Sequence, residues 1–239
     1  MVTEIAGLGT PESRWRPWLQ QTRWPRVDLS GADEPIVVAP HPDDEILGAA
    51  GLLALARGAE IVAVTDGEAS HPALDAAARV ALADRRRAET GAALRALRVD
   101  VPIHRLRQPD GGIDEDALTR FLVLRLRPGR WCVTTWRGDG HPDHEAVGRA
   151  CARASAATGA RLVEFPIWTW HWATPGDGRV PWARGRMLPL PHGVRLAKAA
   201  AIAEFRSQTD PLMPGPDGAP ILPPHVIARF QRPHEVFFL

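Results

Sequence analysis

From residue 35 onward, short strand-like runs alternate with longer stretches of helical periodicity. Ile36-Val37-Val38-Ala39 is the first run, and a run of this kind predicts a buried parallel strand. Residues 44–57 are apolar nearly all round, which predicts a buried helix ending near Gly58. Ile61 to Thr65 reads as a second strand. Leu74, Ala77, Ala78, Ala81 and Leu82 then place a helix within 73–97. His104 to Arg107 predicts a short strand, and Ala117, Leu118, Phe121 and Leu122 a helix. Trp131 to Trp136 predicts a strand, Ala146, Val147, Ala150, Cys151 and Ala154 the helix after it, and Arg161 to Ile167 the next strand. This alternation predicts an α/β fold with a mostly parallel sheet and helices on both faces. In such sheets ligands bind beyond the carboxyl ends of the strands, so the chemistry is sought there.

The flanks differ from this body. Residues 1–34 read as an N-terminal extension to a domain spanning 35–239. Thr10-Pro11-Glu12 predicts a helix start with Thr as cap, Pro17 limits that helix, and Trp15, Trp18 and Leu19 share one face that docks on the body. Beyond residue 170 the text becomes loop-rich, with a helix near 194–206. Six prolines fall between Pro211 and Pro224, which predicts a C-terminal lid or wrap over 209–239.

Composition narrows the function. Lys plus Arg is 29 against 28 for Asp plus Glu, a net charge of +1. That leaves no electrostatic footprint for nucleic acid or an anionic membrane. Two cysteines in no metal-binding spacing give neither a disulfide framework nor a Cys-type zinc site. Met1-Val-Thr-Glu lacks the basic and apolar regions of a signal peptide, and no apolar stretch approaches a membrane span. A soluble cytoplasmic protein is the expectation.

Two clusters carry the chemistry. His41-Pro42-Asp43-Asp44-Glu45 follows the first strand, and His141-Pro142-Asp143-His144-Glu145 follows the Trp131–Trp136 strand. A catalytic zinc takes three N/O protein ligands and leaves a fourth position for water. A free carboxylate beside the metal can take a proton from that water, and a further histidine can stabilise an oxyanion or protonate a leaving amine. Together the clusters hold more ligands than one site requires, so the spare groups are available for acid and base roles. One such turn alone more often simply caps the next helix, whereas two of them after two strands point to a shared site.

These residues resemble the PIG-L / LmbE family of zinc-dependent de-N-acetylases. The resemblance rests on Ala39 to Glu45 and Gly140 to His144. Val64 to Ser70, Arg86-Arg87-Ala88-Glu89, and the element from Lys198 through Ser207-Gln208 add to it. It implies a Rossmann-like sheet, one Zn2+ or another divalent ion such as Fe2+, and hydrolysis of an N-acyl amide, commonly N-acetyl on a glucosamine. It matches His41, Asp44 and His144 to the metal ligands and Asp43 to the base that activates the water held by the metal. His141 matches the residue that stabilises the oxyanion and assists the amine, and Arg86 a substrate-facing arginine. Asp143 is expected to support a histidine by a hydrogen bond. The chain departs from the family twice. Some members have a tyrosine where Asp139 stands, and this chain has none anywhere; Asp139 is given a substrate-binding role instead. Phe205 stands where the family usually has His before Ser-Gln.

Trp168, Trp170 and Trp172 alternate after the strand ending near Ile167, and on an extended segment they would share one face. They serve either as an aromatic wall for a sugar or acyl group, with Trp168 and Trp170 foremost, or as core. His171 is expected at the surface or on a lid, and Asp66 and Glu68 in support of the rim. The expected activity is N-deacylation of an amino sugar or glycosylated small molecule. Its alternatives are an amidase on a non-sugar N-acyl substrate and a binding protein of the same fold without turnover. A nucleotide site is disfavoured, because the first turn carries carboxylates and no Gly-x-Gly-x-x-Gly.

Overall fold

The computed structural model describes Ile5 and residues 7–239. The reading of Met1 to Glu4 as lacking a signal peptide lies outside the described residues. Five parallel strands form most of the sheet: β1 (Ile36–Ala39), β2 (Glu60–Thr65), β3 (Ile103–Gln108), β4 (Trp131–Thr135) and β5 (Arg161–Phe165). Their spatial order is β3-β2-β1-β4-β5. The chain moves outward from β1 to β3 and then returns to the other side of β1. The strand order therefore reverses between β1 and β4, which is where an open α/β sheet leaves a crevice for ligand.

Alternation along β1 explains the double burial. Val37 faces one core, with Ile46, Leu52, Leu94 and Ile202 from α2 (Asp44–Leu55), α3 (Ala76–Leu97) and α7 (His192–Ala203). Ile36 and Val38 face the other, with Leu118, Leu122, Val147 and Cys151 from α4 (Glu115–Val123) and α5 (Pro142–Thr158). All four β1 residues are buried, as the unbroken apolar run requires.

Both flanks depart from expectation. Helix α1 (Glu12–Gln21) continues through Pro17, and Thr10 does not cap it. The Thr10 hydroxyl donates to Ala173 O and its amide to His171 O, which ties the segment to the body. Trp15 is fully buried, and its indole donates to Trp170 O at 2.9 Å. Truncating a buried tryptophan of this kind costs about 3–5 kcal/mol, which is enough to hold a helix that tolerates an internal proline. The C-terminal region is more than a wrap. β6 (Gly185–Pro189) and β7 (His234–Phe238) extend the sheet as β5-β7-β6, with β7 antiparallel to both neighbours. The expected helix near 194–206 ends at Ala203, and a short turn, α8 (Arg206–Thr209), follows. No described helix is long and apolar enough to cross a membrane.

Candidate active site

The two clusters emerge side by side because β1 and β4 are hydrogen-bonded neighbours. Three ligand-type atoms converge between them. His41 Nδ1 lies 3.4 Å from Asp44 Oδ2, and His144 Nε2 lies 3.3 Å from the same oxygen. Zinc bonds of about 2.0–2.1 Å at tetrahedral angles place neighbouring ligand atoms roughly 3.3–3.4 Å apart, so these residues fit such an ion. The outer nitrogens fit it as well. His144 Nδ1 meets Asp139 Oδ2 at 2.8 Å, while His41 Nε2 meets Asp143 Oδ2 at 3.1 Å and Asp110 Oδ1 at 3.2 Å. Metal-binding histidines characteristically donate the second ring N–H to a carboxylate in this way. His41, His141 and Asp143 also lie close enough to hold an ion. The first set is favoured, because Asp44 Oδ2 stands close to both histidines, to His41 Nδ1 and to His144 Nε2, whereas Asp143 Oδ2 faces the Nε2 side of His41 beside Asp110.

The electrostatics follow from burial and pairing. Burial opposes charge on Asp44, but His144 and His41 outweigh it and hold the carboxyl far below the usual range. Burial likewise opposes protonation of His144, yet Asp44 and Asp139 raise it to about 9. For His41, burial is overcome by Asp110, Asp143 and Asp44, and its pKa stands well above the ordinary histidine value. His141 moves the other way, because burial and the neighbouring His144 and His41 disfavour another positive charge. Its Nδ1 accepts from the Asp143 amide at 3.2 Å, so the neutral ring carries its proton on Nε2.

Asp43 occupies the backbone position between turn and helix, at φ 125° and ψ −33°. That left-handed conformation strains a residue with a Cβ, and such strain persists only where surrounding contacts impose it. Here Glu45 and Arg86 hold the turn: the Asp43 amide donates to Glu45 Oε2 at 3.1 Å, and Arg86 binds the other side. Its guanidinium is buried and donates to Pro42 O at 2.6 Å, Asp43 Oδ2 at 3.1 Å and Gly67 O at 2.9 Å. Gly67 permits that approach, since a Cβ there would stand 2.1 Å from Arg86 Nη1. Burial pushes the Asp43 carboxyl up to about 7 against the pull of Arg86, a value suited to proton transfer near neutrality.

Several expectations are corrected. Arg86 is not substrate-facing: all three of its acceptors are protein groups around the Asp43 turn. Asp139 is fully buried and does not face a substrate. The Trp segment is a helical turn, α6 (Thr169–Trp172), so the three rings fan apart. Trp170 is core, packed edge-on to Trp15 at 5.0 Å with Arg232 over its ring. Trp168 is half-buried beside His171, and Trp172 stacks on Trp136. His171 is itself buried against Arg229. Phe205 is fully buried in the core. Asp66 pairs with Arg87, and Glu68 accepts from the Asp110 amide. Asp110 escaped the sequence reading. It has no motif, and its only signal is its place just after the third predicted strand.

The family model PIG-L, GlcNAc-PI de-N-acetylase, matches residues 36–155, half of the chain, and the chain belongs to this family. None of the curated proteins compared matches it. Among solved structures, N,N'-diacetylchitobiose deacetylase from Pyrococcus horikoshii, complexed with its inhibitor MPG, has a TM-score of 0.57 at 20% identity. The match covers 76% of this chain and 74% of that one. The zinc-inhibited form of teicoplanin deacetylase Orf2 has a TM-score of 0.56 at 19% identity, over 82% of this chain and 90% of that one. GalB, the 4-carboxy-2-hydroxymuconate hydratase from Pseudomonas putida KT2440, has a TM-score of 0.54 at 19% identity, over 74% and 80%. These likenesses describe the fold. A hydratase among them means that the reaction has to be argued from the residues.

Proposed function

We propose that this chain is a metal-dependent hydrolase that removes an N-acetyl or other N-acyl group from an amino sugar or glycosylated small molecule. The observation that carries the reading is the meeting of His41 Nδ1, Asp44 Oδ2 and His144 Nε2 next to a buried carboxylate, Asp43, that is not one of the three. Support comes from the family's description and from similar folds described as deacetylases of N,N'-diacetylchitobiose and teicoplanin.

His41, Asp44 and His144 would hold a zinc ion or another divalent ion. Such an ion makes water acidic near neutral pH and polarises a carbonyl. Asp43 accepts a proton from the attacking water, and Arg86 keeps its carboxylate aimed. The water oxygen bonds to the amide carbon as the C=O electrons move to oxygen. His141 Nε2–H donates to that oxyanion. Collapse breaks the C–N bond, the proton gained by Asp43 passes to the departing nitrogen, and the products are a carboxylic acid, which ionises in water, and a free amine.

The test is acetate release from a panel of N-acetyl sugars and N-acyl amino compounds, before and after chelation and with zinc restored. Asp43→Asn is expected to keep the metal and lose about 10²–10⁴ in kcat. Equal rates for wild type and variant, or rates indifferent to chelation, would overturn the reading. A preference for the non-sugar amides would redirect the substrate class.

A further inference from the structure

Asp139 is a fully buried carboxylate in the turn after β4, and every group facing its side chain is a donor. Oδ2 accepts from His144 Nδ1 at 2.8 Å and from Trp168 N at 2.9 Å. Oδ1 accepts from Ile167 N at 3.0 Å, Thr169 N at 2.9 Å and the Thr169 hydroxyl. Its backbone carbonyl takes the Trp172 indole at 2.8 Å. An ionised carboxylate only accepts hydrogen bonds, and it presents about four lone-pair sites. Five donors therefore saturate it and leave nothing for a substrate. Because Oδ2 cannot donate, the contact with His144 requires a proton on Nδ1. When the ring gives up its other proton to serve as a ligand, it is therefore the Nε2 lone pair, on the Asp44 side, that becomes available.

We infer that Asp139 is the positioning residue of the metal centre. It fixes the tautomer and orientation of His144 and makes the 167–172 segment one rigid unit with that ligand. The inference rests on the proposed reading of His144 as a ligand. Asp139→Asn is the discriminating change. The amide oxygen can keep the three donors at Oδ1, but its NH2 then confronts His144 Nδ1–H and Trp168 N–H. The conflict is relieved if the imidazole moves its proton to Nε2, which blocks the lone pair a metal needs. Thr169→Val removes one tie to the segment and leaves the His144 contact in place.

The experiment measures zinc affinity by chelator competition for wild type, Asp139→Asn and Thr169→Val, with thermal melts alongside. Long-range proton–nitrogen NMR on the zinc-loaded wild type supplies the tautomer of His144. Asp139→Asn is expected to bind zinc about 10–100-fold more weakly. Thr169→Val is expected to stay within about twofold of wild type while melting lower, as loss of one buried hydrogen bond implies. The wild-type spectrum is expected to show a proton on His144 Nδ1. A purely packing role would lower the Asp139→Asn melt and leave the zinc affinity of the folded protein unchanged, and that result overturns the inference. Should Asp139→Asn fail to fold, the spectrum decides, and a His144 proton on Nε2 overturns it. Failure of wild type to bind zinc at all would instead sink the hydrolase reading, and this inference with it.

Discussion

The two rim clusters share a spelling, His-Pro-Asp-x-Glu, and each follows a parallel strand into a helix, yet they fold differently. In the second, the helix begins at Pro142, and His141 caps it by accepting the Asp143 amide. In the first, the helix begins only at Asp44, and Asp43 sits before it with positive φ. This shift in helix start gives the same positions different tasks. The third residue of the second cluster, Asp143, reaches across to His41 Nε2, whereas its counterpart Asp43 is held by Arg86. The first residue of one cluster, His41, is a candidate ligand buttressed by two carboxylates, while among the described residues His141 is hydrogen-bonded by a backbone amide on Nδ1, which puts the donor N–H of the neutral ring on Nε2. A repeated motif therefore does not imply repeated roles. The helix start and the partners beyond it assign them.

Substituting the first position of each cluster tests the comparison most severely. His41→Ala is expected to lose stoichiometric metal, with activity falling to background. His141→Ala is expected to keep the metal and lose about 10²–10³ in kcat, the usual cost of one oxyanion donor. Metal analysis beside the deacylation assay reads both, and matching losses would mean that the two histidines are equivalent after all.

A smaller effect separates the third positions by pH. Burial raises Asp43 to about 7 while Arg86 pulls it down. The base works as a carboxylate, so kcat/KM should fall as pH drops through an acid limb. A bound cation adds positive charge and draws that limb to or below pH 7. Arg86→Met removes the opposing charge and should move the limb to higher pH. The corresponding change at Asp143, to Asn, should lower metal affinity and leave the limb in place. A pH–rate profile with an unmoved limb for Arg86→Met would remove Arg86 from any part in holding the base.

The smallest effect concerns backbone strain. Asp43→Gly should be more stable than Asp43→Ala by about 1 kcal/mol, because glycine accepts positive φ without penalty. At Asp143, in the first turn of a helix, the order should reverse, by less than about 1 kcal/mol. Urea denaturation of the four variants checks both signs, and a common order at the two sites would deny the difference in backbone.

Much of this frame was legible along the chain. Strands buried on both faces favour continuous apolar runs, so β1 and β2 stood out, while β4 and β5 showed as shorter apolar stretches that also bury Thr134, Thr135 and Glu164. Polar clusters directly behind two of them located the candidate site. Asp110 was not legible, because its approach to His41 depends on β3 lying beyond β2 in the sheet, an order that periodicity does not carry. Arg86 was singled out but aimed wrongly. A charge run on a helix looks solvated until the Asp43 turn supplies buried acceptors. The Trp168–Trp172 segment misled for a related reason: the Asp139 carboxylate gathers three successive amides and winds it into a turn, and no local pattern announces an acceptor 28 residues earlier.

Local chemistry was therefore written in the residues. Apolar runs have to be buried, prolines and glycines punctuate, and histidines with carboxylates behind strands offer ligands wherever the sheet places them. Only the folded molecule decided which nitrogen of each histidine faces Asp44, which carboxylate is held by a buried arginine beside the candidate ligands and which is consumed by hydrogen bonds. Those outcomes depend on contacts a few ångströms long between segments up to about a hundred residues apart, and burial makes each unsatisfied alternative cost on the order of 1–3 kcal/mol.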